Sequence, residues 1–440
     1  MRQAITAASA LLAMATMAQG PVSLSLQQAV DQAARQSYIV QYSALEAEKA
    51  DSKIKEILGV GLPQVAASAG LNNYLKVPTQ VIPNFFGNDP PTMEIQLGVP
   101  WMLNGGVQLN QLLFDGSYLV GLQATRELKD KAGLDLEKAQ HDARVQAAKA
   151  YYAVLAAEEG VRLLGESLPL LEKSAGDAKA MVQQGFMEST DVDRLTIQLA
   201  DTRNRQGSLR QQANVARAYL ALVLGLPTGT PTTLTDALQP LLDDPAEAGL
   251  AEAAFDVNQH VDQQVAQSML RLGELDVRNK KAAYLPSLGG FFNYQQAYNY
   301  MEFDIGNGSW WFPGSLWGLQ LNVPIFSSGM RHQQVRQAKL SLEQANVNAK
   351  ATEQRLLAEK EQQQAILRAA QDSYDTGRRN LALSRSIFDR TSIKFTEGMA
   401  SSFELTQEHG NYLTMQQTYI QRIVDLLQAR ADMRKALDAY

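Results

Sequence analysis

The sequence predicts a mainly helical chain of two internal repeats, each giving two strands to a transmembrane β-barrel shared between copies. Three observations carry this. A short pattern occurs twice, as Gly106-Val107-Gln108-Leu109-Asn110-Gln111-Leu112-Leu113-Phe114-Asp115-Gly116-Ser117 and as Gly318-Leu319-Gln320-Leu321-Asn322-Val323-Pro324-Ile325-Phe326-Ser327-Ser328-Gly329. The leading Gly, the Gln, the Leu-Asn pair and the Phe match at one constant offset, which marks two related halves. Around each copy, apolar and polar residues alternate with almost no charge, and each copy hands over to a very long stretch of helical periodicity.

Composition narrows the class. A formal charge of −6 over 440 residues lacks the basic footprint of a nucleic-acid binder. The chain has no cysteine, so a disulfide framework, a thiolate metal site and a lipid-modified N-terminal Cys are all excluded. Residues 1–20 carry Arg2, an apolar small-residue run from Ala4 to Ala18 and small residues at Ala18 and Gly20. They read as a secretory signal peptide, the alternative being a buried N-terminal helix. No later run of ~20 apolar residues offers a transmembrane helix.

The elements follow in order. Residues 21–62 form the first repeat's N-terminal helix, periodic from Leu24 to Leu58 and stopped at Leu62-Pro63. Residues 251–285 repeat this, stopping at Leu285-Pro286. Residues 63–115 are the first β-hairpin. Val65 to Val77 alternate, a loop spans Pro78 to Thr92, and Met93, Ile95, Leu97, Val99 and Trp101 alternate again. Residues 286–328 are the second: Phe292, Tyr294, Tyr298 and Tyr300 share a face, as do Trp317, Leu319, Leu321, Val323 and Ile325.

Between Pro63 and Phe114 the only charges are Lys76, Asp89 and Glu94; between Pro286 and Met330, only Glu302 and Asp304. All four tryptophans, Trp101, Trp310, Trp311 and Trp317, fall here and are expected at the membrane interface. Apolar-out, polar-in strands with aromatic girdles are the mark of a transmembrane barrel. A soluble sandwich would alternate too, but does not explain the missing charge. Four strands cannot close alone, since such barrels start at about 8 strands, and an open edge is not viable in lipid. Three copies would give a trimeric twelve-stranded barrel and two copies an eight-stranded one; the trimer is the economical solution.

Residues 116–224 and 329–440 are long helical hairpins. Leu136, Ala139, Ala143, Ala150, Ala153 and Ala157, and Val335, Ala338, Leu342, Ala345, Ala349 and Leu356, keep the 3-4 spacing of a coiled-coil seam. Pro169 is expected to kink or interrupt the first helix, at a cost of ~3 kcal/mol. The hairpins turn at Gly185 and Gly398, which suit left-handed C-caps, with Ser189 and Ser402 as the following N-caps. Return helices run from about Asp191 to Leu224 and from Glu404 to Ala439, and residues 225–250 link the halves.

The Leu-Pro corner, the Phe-[Asp/Ser]-[Gly/Ser]-[Ser/Gly] exit from the strands and the Gly-x3-Ser-x-[Asp/Glu]-[Val/Leu] turn are each weak alone. Duplicated and in this order, they make the chain resemble the TolC-type outer-membrane efflux proteins over essentially the whole mature length. That resemblance implies a barrel in the outer membrane of a Gram-negative bacterium continuous with a periplasmic α-helical barrel, without catalysis or cofactor. It implies a homotrimer working with a periplasmic adaptor protein and an inner-membrane transporter. It also implies a constriction at Glu404 and position 407, here Gln407, and adaptor docking at the tips: Gly185, Phe186, Met187, Ser189, Gly398, Met399, Ala400 and Ser402. Glu404 reads either as a constriction carboxylate favouring cations or as a plain acid at a helix N-terminus. Asp191 has the same two readings, with the helix-terminal one favoured.

No metal or nucleophile constellation is evident. His141, His260, His332 and His409 stand far apart and read mostly as solvated helix residues. The expected function is a passive duct for small molecules, drugs or metal ions. Type I protein secretion would use the same architecture, and a soluble periplasmic coiled-coil scaffold is the alternative of another class.

Overall fold

The computed structural model describes residues 22–439 except 88, 245, 246, 248, 305, 307, 309 and 310. The expected signal segment 1–20 and Trp310 lie outside the described residues. In chain order the elements are β1 (Val22–Leu24), α1 (Leu26–Gln36), α2 (Tyr38–Val60), β2 (Gln64–Asn73), β3 (Thr79–Pro83), β4 (Thr92–Gln96), β5 (Trp101–Phe114), α3 (Gly116–Gln183) and α4 (Ser189–Val223). Then come β6 (Thr232–Leu234), α5 (Leu238–Leu242), α6 (Val261–Ala282), β7 (Ser287–Tyr300), β8 (Trp311–Asn322), α7 (Met330–Thr396) and α8 (Ser402–Ala436). They fall into two compact units: the described parts of 1–47, 132–266 and 348–440, and of 48–131 and 267–347.

The first unit is helical. Its chain opens on a capping box at Ser25, whose hydroxyl accepts from Gln28 N–H while the Gln28 side chain returns to the Ser25 N–H. The single helix expected from Leu24 to Leu58 is two helices, broken at Ser37, which is extended (φ −62°, ψ 147°). The break lies where the Gln36 carbonyl meets Gly225 at the end of α4. Residues 225–250 do more than link. β6 pairs in parallel with β1, and the buried Tyr151 hydroxyl of α3 lies 3.1 Å from both the Leu24 carbonyl and Asp236 Oδ2. Arg430 of α8, itself buried, donates to the Leu241 and Leu242 carbonyls at 2.7 and 3.0 Å.

A large core joins α1, the middle of α3, the end of α4 and the end of α8, with Tyr151, Leu220, Ile423 and Leu426 fully buried. A second, smaller core lies toward the hairpin turns: Leu171 and Ala178 of α3, Leu195 of α4, Phe388 and Phe395 of α7, and Leu405 and Tyr412 of α8. The expected seams are the inward faces: Ala139, Ala143 and Ala150 are buried in α3, and Ala338, Ala349 and Leu356 in α7. Small residues let α3 and α4 approach closely, since a Cβ on Gly160 would sit 3.3 Å from Leu209.

Pro169 does not interrupt α3, which is continuous from Gly116 to Gln183. Leu164, Leu168 and Leu171 are buried around it, and that packing offsets the ~3 kcal/mol cost of an interior proline.

The second unit is built on an antiparallel sheet in the order β2-β5-β7-β8. The register sorts most side chains, with Gln111 and Gln296 on the apolar face and Phe291, Phe312 and Leu316 on the polar one among the exceptions. Val65, Val107, Leu109, Phe292, Tyr294, Trp317 and Leu319 share one face, while Gln108, Asn110, Asn293, Gln295 and Gln320 share the other. A bulge between Leu112 and Phe114 returns Phe114 to the apolar face before α3 begins. None of the residues of β2, β5, β7 or β8 is Asp, Glu, Lys, Arg or His.

The expected strand from Met93 to Trp101 is divided. Its first half, β4, pairs with β3 in a separate two-stranded ribbon, and the barrel-type strand begins only at Trp101, after Gly98 (φ +128°) and Pro100. Glu94 therefore belongs to the ribbon, which is why one charge could be tolerated in that run. Likewise Leu75 and Val77 lie beyond β2, and Val323 and Ile325 beyond β8.

Candidate functional site

The two hairpin turns share one geometry. At the end of α3, Phe186 N–H donates to the Met181 carbonyl at 2.9 Å and Gly185 N–H to that of Val182 at 3.0 Å, with Gly185 at φ +76°. At the end of α7, Met399 N–H donates to Lys394 at 2.8 Å and Gly398 N–H to Phe395 at 3.0 Å, with Gly398 at φ +72°. Both are Schellman turns, which require the left-handed residue that glycine supplies without steric cost. The residue after each glycine, Phe186 or Met399, points into solvent (80% and 67% exposed), and the next, Met187 or Ala400, packs back onto the smaller core.

The return helices start one residue earlier than expected. The N-caps are Glu188, which makes no side-chain cap bond, and Ser401, whose hydroxyl accepts from Glu404 N–H. Ser189 is exposed in the first turn of α4. Ser402 is buried, and its hydroxyl donates to Asp191 of α4, joining the two tips. Asp191 also pairs with Arg194 at 3.4 Å, so its carboxylate is engaged inside the chain.

Glu404 is exposed in the first turn of α8, and its carboxylate has no partner among the described residues. Gln407, one turn on, is exposed as well and donates to Asn411 at 3.3 Å. Glu404, Gln407 and Asn411 thus form a polar, exposed face opposite Leu405, His409 and Tyr412, which are buried.

Three of the four histidines are not solvated. Only His332 is exposed; His260 is buried, and His141 pairs with Asp438 at 2.5 Å with both side chains largely covered. His409 is fully buried, its ring tilted against Phe388 with centroids 5.0 Å apart, Nδ1 3.0 Å from Gln198 Nε2 and Nε2 unpartnered among the described residues. Its place could have been read from the sequence, since Leu405, His409 and Tyr412 follow helical spacing on the apolar stripe of α8.

Burial pushes the His409 pKa down to about 4, and the nearby Arg205 charge adds to this. A histidine in the unfolded chain titrates near 6.5, so between these values the unfolded state binds the extra proton and stability falls as pH falls. The effect is full above pH ~6.5 and costs about 3 kcal/mol once pH drops through the folded pKa. Amide exchange in residues 188–202 and 402–416, corrected for intrinsic rates, is expected to accelerate at least tenfold between pH 7 and pH 4. His409→Leu should flatten that dependence; equal acceleration in the variant would show that another group is responsible.

At the far end of the strand unit, the Trp101 ring lies tilted against Phe303 (centroids 4.8 Å) and Trp311 against Tyr298 (5.7 Å), while Trp317, in the middle of β8, is 74% exposed on the apolar face. No helix among the described residues is long and apolar enough to cross a membrane. The sheet, uncharged and mostly apolar on one face, is the membrane-spanning candidate on its own composition. No group of three or more His, Cys, Asp or Glu side chains able to hold a metal occurs among the described residues.

An uncharged sheet with one apolar face, joined to paired long helices that end in matched turns, defines a subunit of an outer-membrane channel. The chain belongs to the outer membrane efflux protein family, which matches residues 29–226 and 258–439. It is 23% identical over 326 residues to the outer membrane efflux protein BepC of Brucella suis, covering 74% of this chain and 69% of that protein. Its fold is that of solved channels: CusC, at TM-score 0.71 and 16% identity over 94% of this chain and 91% of that one, and the Campylobacter jejuni outer membrane channel CmeC, at TM-score 0.70 and 16% identity over 94% and 85%. The chain is thus an outer-membrane protein with a periplasmic extension, in a family of channels rather than enzymes, and the soluble scaffold is set aside.

Proposed function

We propose that three copies of this chain close a twelve-stranded barrel and form the passive exit duct of a tripartite efflux system. The observation that carries this is the pair of open edges. β2 and β8 each pair on one side only, in an uncharged sheet with one mostly apolar face. Unpaired backbone groups cost several kcal/mol each in hydrocarbon, so the edges must meet those of other copies. Negative-stain electron microscopy of the detergent-extracted protein tests this. A three-fold, elongated particle with a detergent belt at one end is expected; a compact monomer without a belt would defeat the proposal.

The duct carries small molecules, drugs or metal ions delivered by an inner-membrane transporter, with a periplasmic adaptor bridging to the tips. The named relatives' efflux function supports that reading. Phe186 and Met399, exposed at equivalent places, are the adaptor's apolar contacts. Met187, Ala400 and Ser402 brace the turns from inside, and Gly185, Gly398 and Ser189 set the backbone. Protein cargo of the type I class would use the same duct.

Glu404 and Gln407 line the periplasmic constriction. Converging carboxylates at Glu404 would favour cations and repel one another at neutral pH. Glu404→Gln is expected to lower cation preference in planar-bilayer recordings by at least twofold. Unchanged selectivity and conductance would remove Glu404 from the constriction. Asp191, already held by Ser402 and Arg194, contributes by fixing the tips together.

A further inference from the structure

The register places both copies of the repeated pattern in the same way. Gly106, Gln108 and Asn110 of β5 and Gly318, Gln320 and Asn322 of β8 fall on the polar face, and Leu109 and Leu321 on the apolar one. The two leading glycines both stand close against β7. Gly106 stands opposite Gln295 of β7, and Gly318 opposite Phe291. A Cβ at 106 would come within 2.9 Å of the Tyr294 carbonyl oxygen and 3.4 Å of Gln295; one at 318 would come within 2.8 Å of the Phe291 ring. Gly106 thus admits the close β7 backbone and Gly318 makes room for the Phe291 ring, and the carboxamides that follow are left at the surface. Gln108, Asn110, Gln295 and Gln320 are all exposed in the single chain, and Gln108 Nε2 donates to Asn110 Oδ1 at 3.1 Å.

Rings of fixed charge are the usual source of ionic preference in a pore. These strands hold no charge at all, on either face. A carboxamide, by contrast, offers both an acceptor oxygen and N–H donors, so it can meet a cation, an anion or a neutral polar group. We propose that this face, closed by three copies, is an uncharged carboxamide lining that passes hydrated polar cargo of either sign. Ionic preference is then set outside the strands. The proposal rests on the shared-barrel reading above and adds the class of cargo that the barrel admits.

The absence of cysteine supplies the test. Gln108→Cys and Leu109→Cys put single thiols on opposite faces of β5, and each full-length variant is recorded in planar bilayers. Positively and negatively charged methanethiosulfonates on Gln108→Cys should move the cation-to-anion permeability ratio at least twofold in opposite directions. The same reagents on Leu109→Cys should leave it unmoved. Gln108→Ala should leave the ratio of the unlabelled channel unchanged, whereas Gln108→Glu should raise it at least twofold. A three-fold conducting particle whose ratio ignores charge at 108, or shifts on Gln108→Ala, overturns the lining while the duct stands. A particle without three-fold symmetry or conductance fails the duct itself, and the lining with it.

Discussion

Lysine at position 107 is expected to abolish recovery of the assembled protein from the outer membrane, while lysine one residue on, at 108, is tolerated. Val107 is near the middle of β5 and faces the apolar side with Ala67 and Tyr294 across the ladder; Gln108 faces the polar side. A lysine on the lipid face at the bilayer midplane costs roughly 2–4 kcal/mol. Three copies in one barrel multiply that to about 6–12 kcal/mol, comparable to the whole stability of an ordinary domain. On the polar face the ammonium stays in water. The comparison is read from the amount of each variant extracted from outer-membrane fractions in multimeric form. Equal recovery of both would mean that the two faces do not divide lipid from water.

Gly225→Ala is expected to destabilise the helical unit by about 4 kcal/mol. Gly225 ends α4 at φ +71°, and a Cβ there would lie 2.0 Å from the Gln36 carbonyl oxygen and 2.8 Å from its carbon. These are backbone atoms at the α1–α2 break, so no side-chain rotation relieves the collision. Left-handed strain and forced repacking each cost about 1–3 kcal/mol. Gly229→Ala is the control: it is also left-handed, at φ +87°, but nothing stands within 4 Å of its Cβ. It should cost only about 1–2 kcal/mol. Urea titration followed by far-ultraviolet circular dichroism on the full chain in detergent separates them, and matching midpoints would refute the steric account.

What the sequence made legible was periodic. The two repeats, the Leu-Pro corners and the glycine turns appear where their spacing put them, and the alternating runs form strands with shifted bounds, because each depends on local backbone geometry. What escaped depended on partners distant in sequence. Ser37 breaks a helix that periodicity joins, at the point where Gln36 meets Gly225. Pro169 fails to break a helix that its own chemistry opposes, because buried leucines hold both sides. β4 alternates in phase with β5 but pairs with β3, a choice made by the ladder and invisible in the pattern. At the tips, Gly185 and Gly398 were readable, while the Ser402–Asp191 link joins residues from different repeats.

The open edges of β2 and β8 also dictate how the assembly must count. One sheet has two unsatisfied edges; two sheets side by side still have two, and so do three in a row. Three separate sheets carry six such edges between them; each junction removes two, yet any open row keeps one at either end, and only the step that joins last to first leaves none. That closing junction forms within one assembly and needs no further copy, so it removes the last two edges without a new association cost, and the completed ring is favoured over every open row.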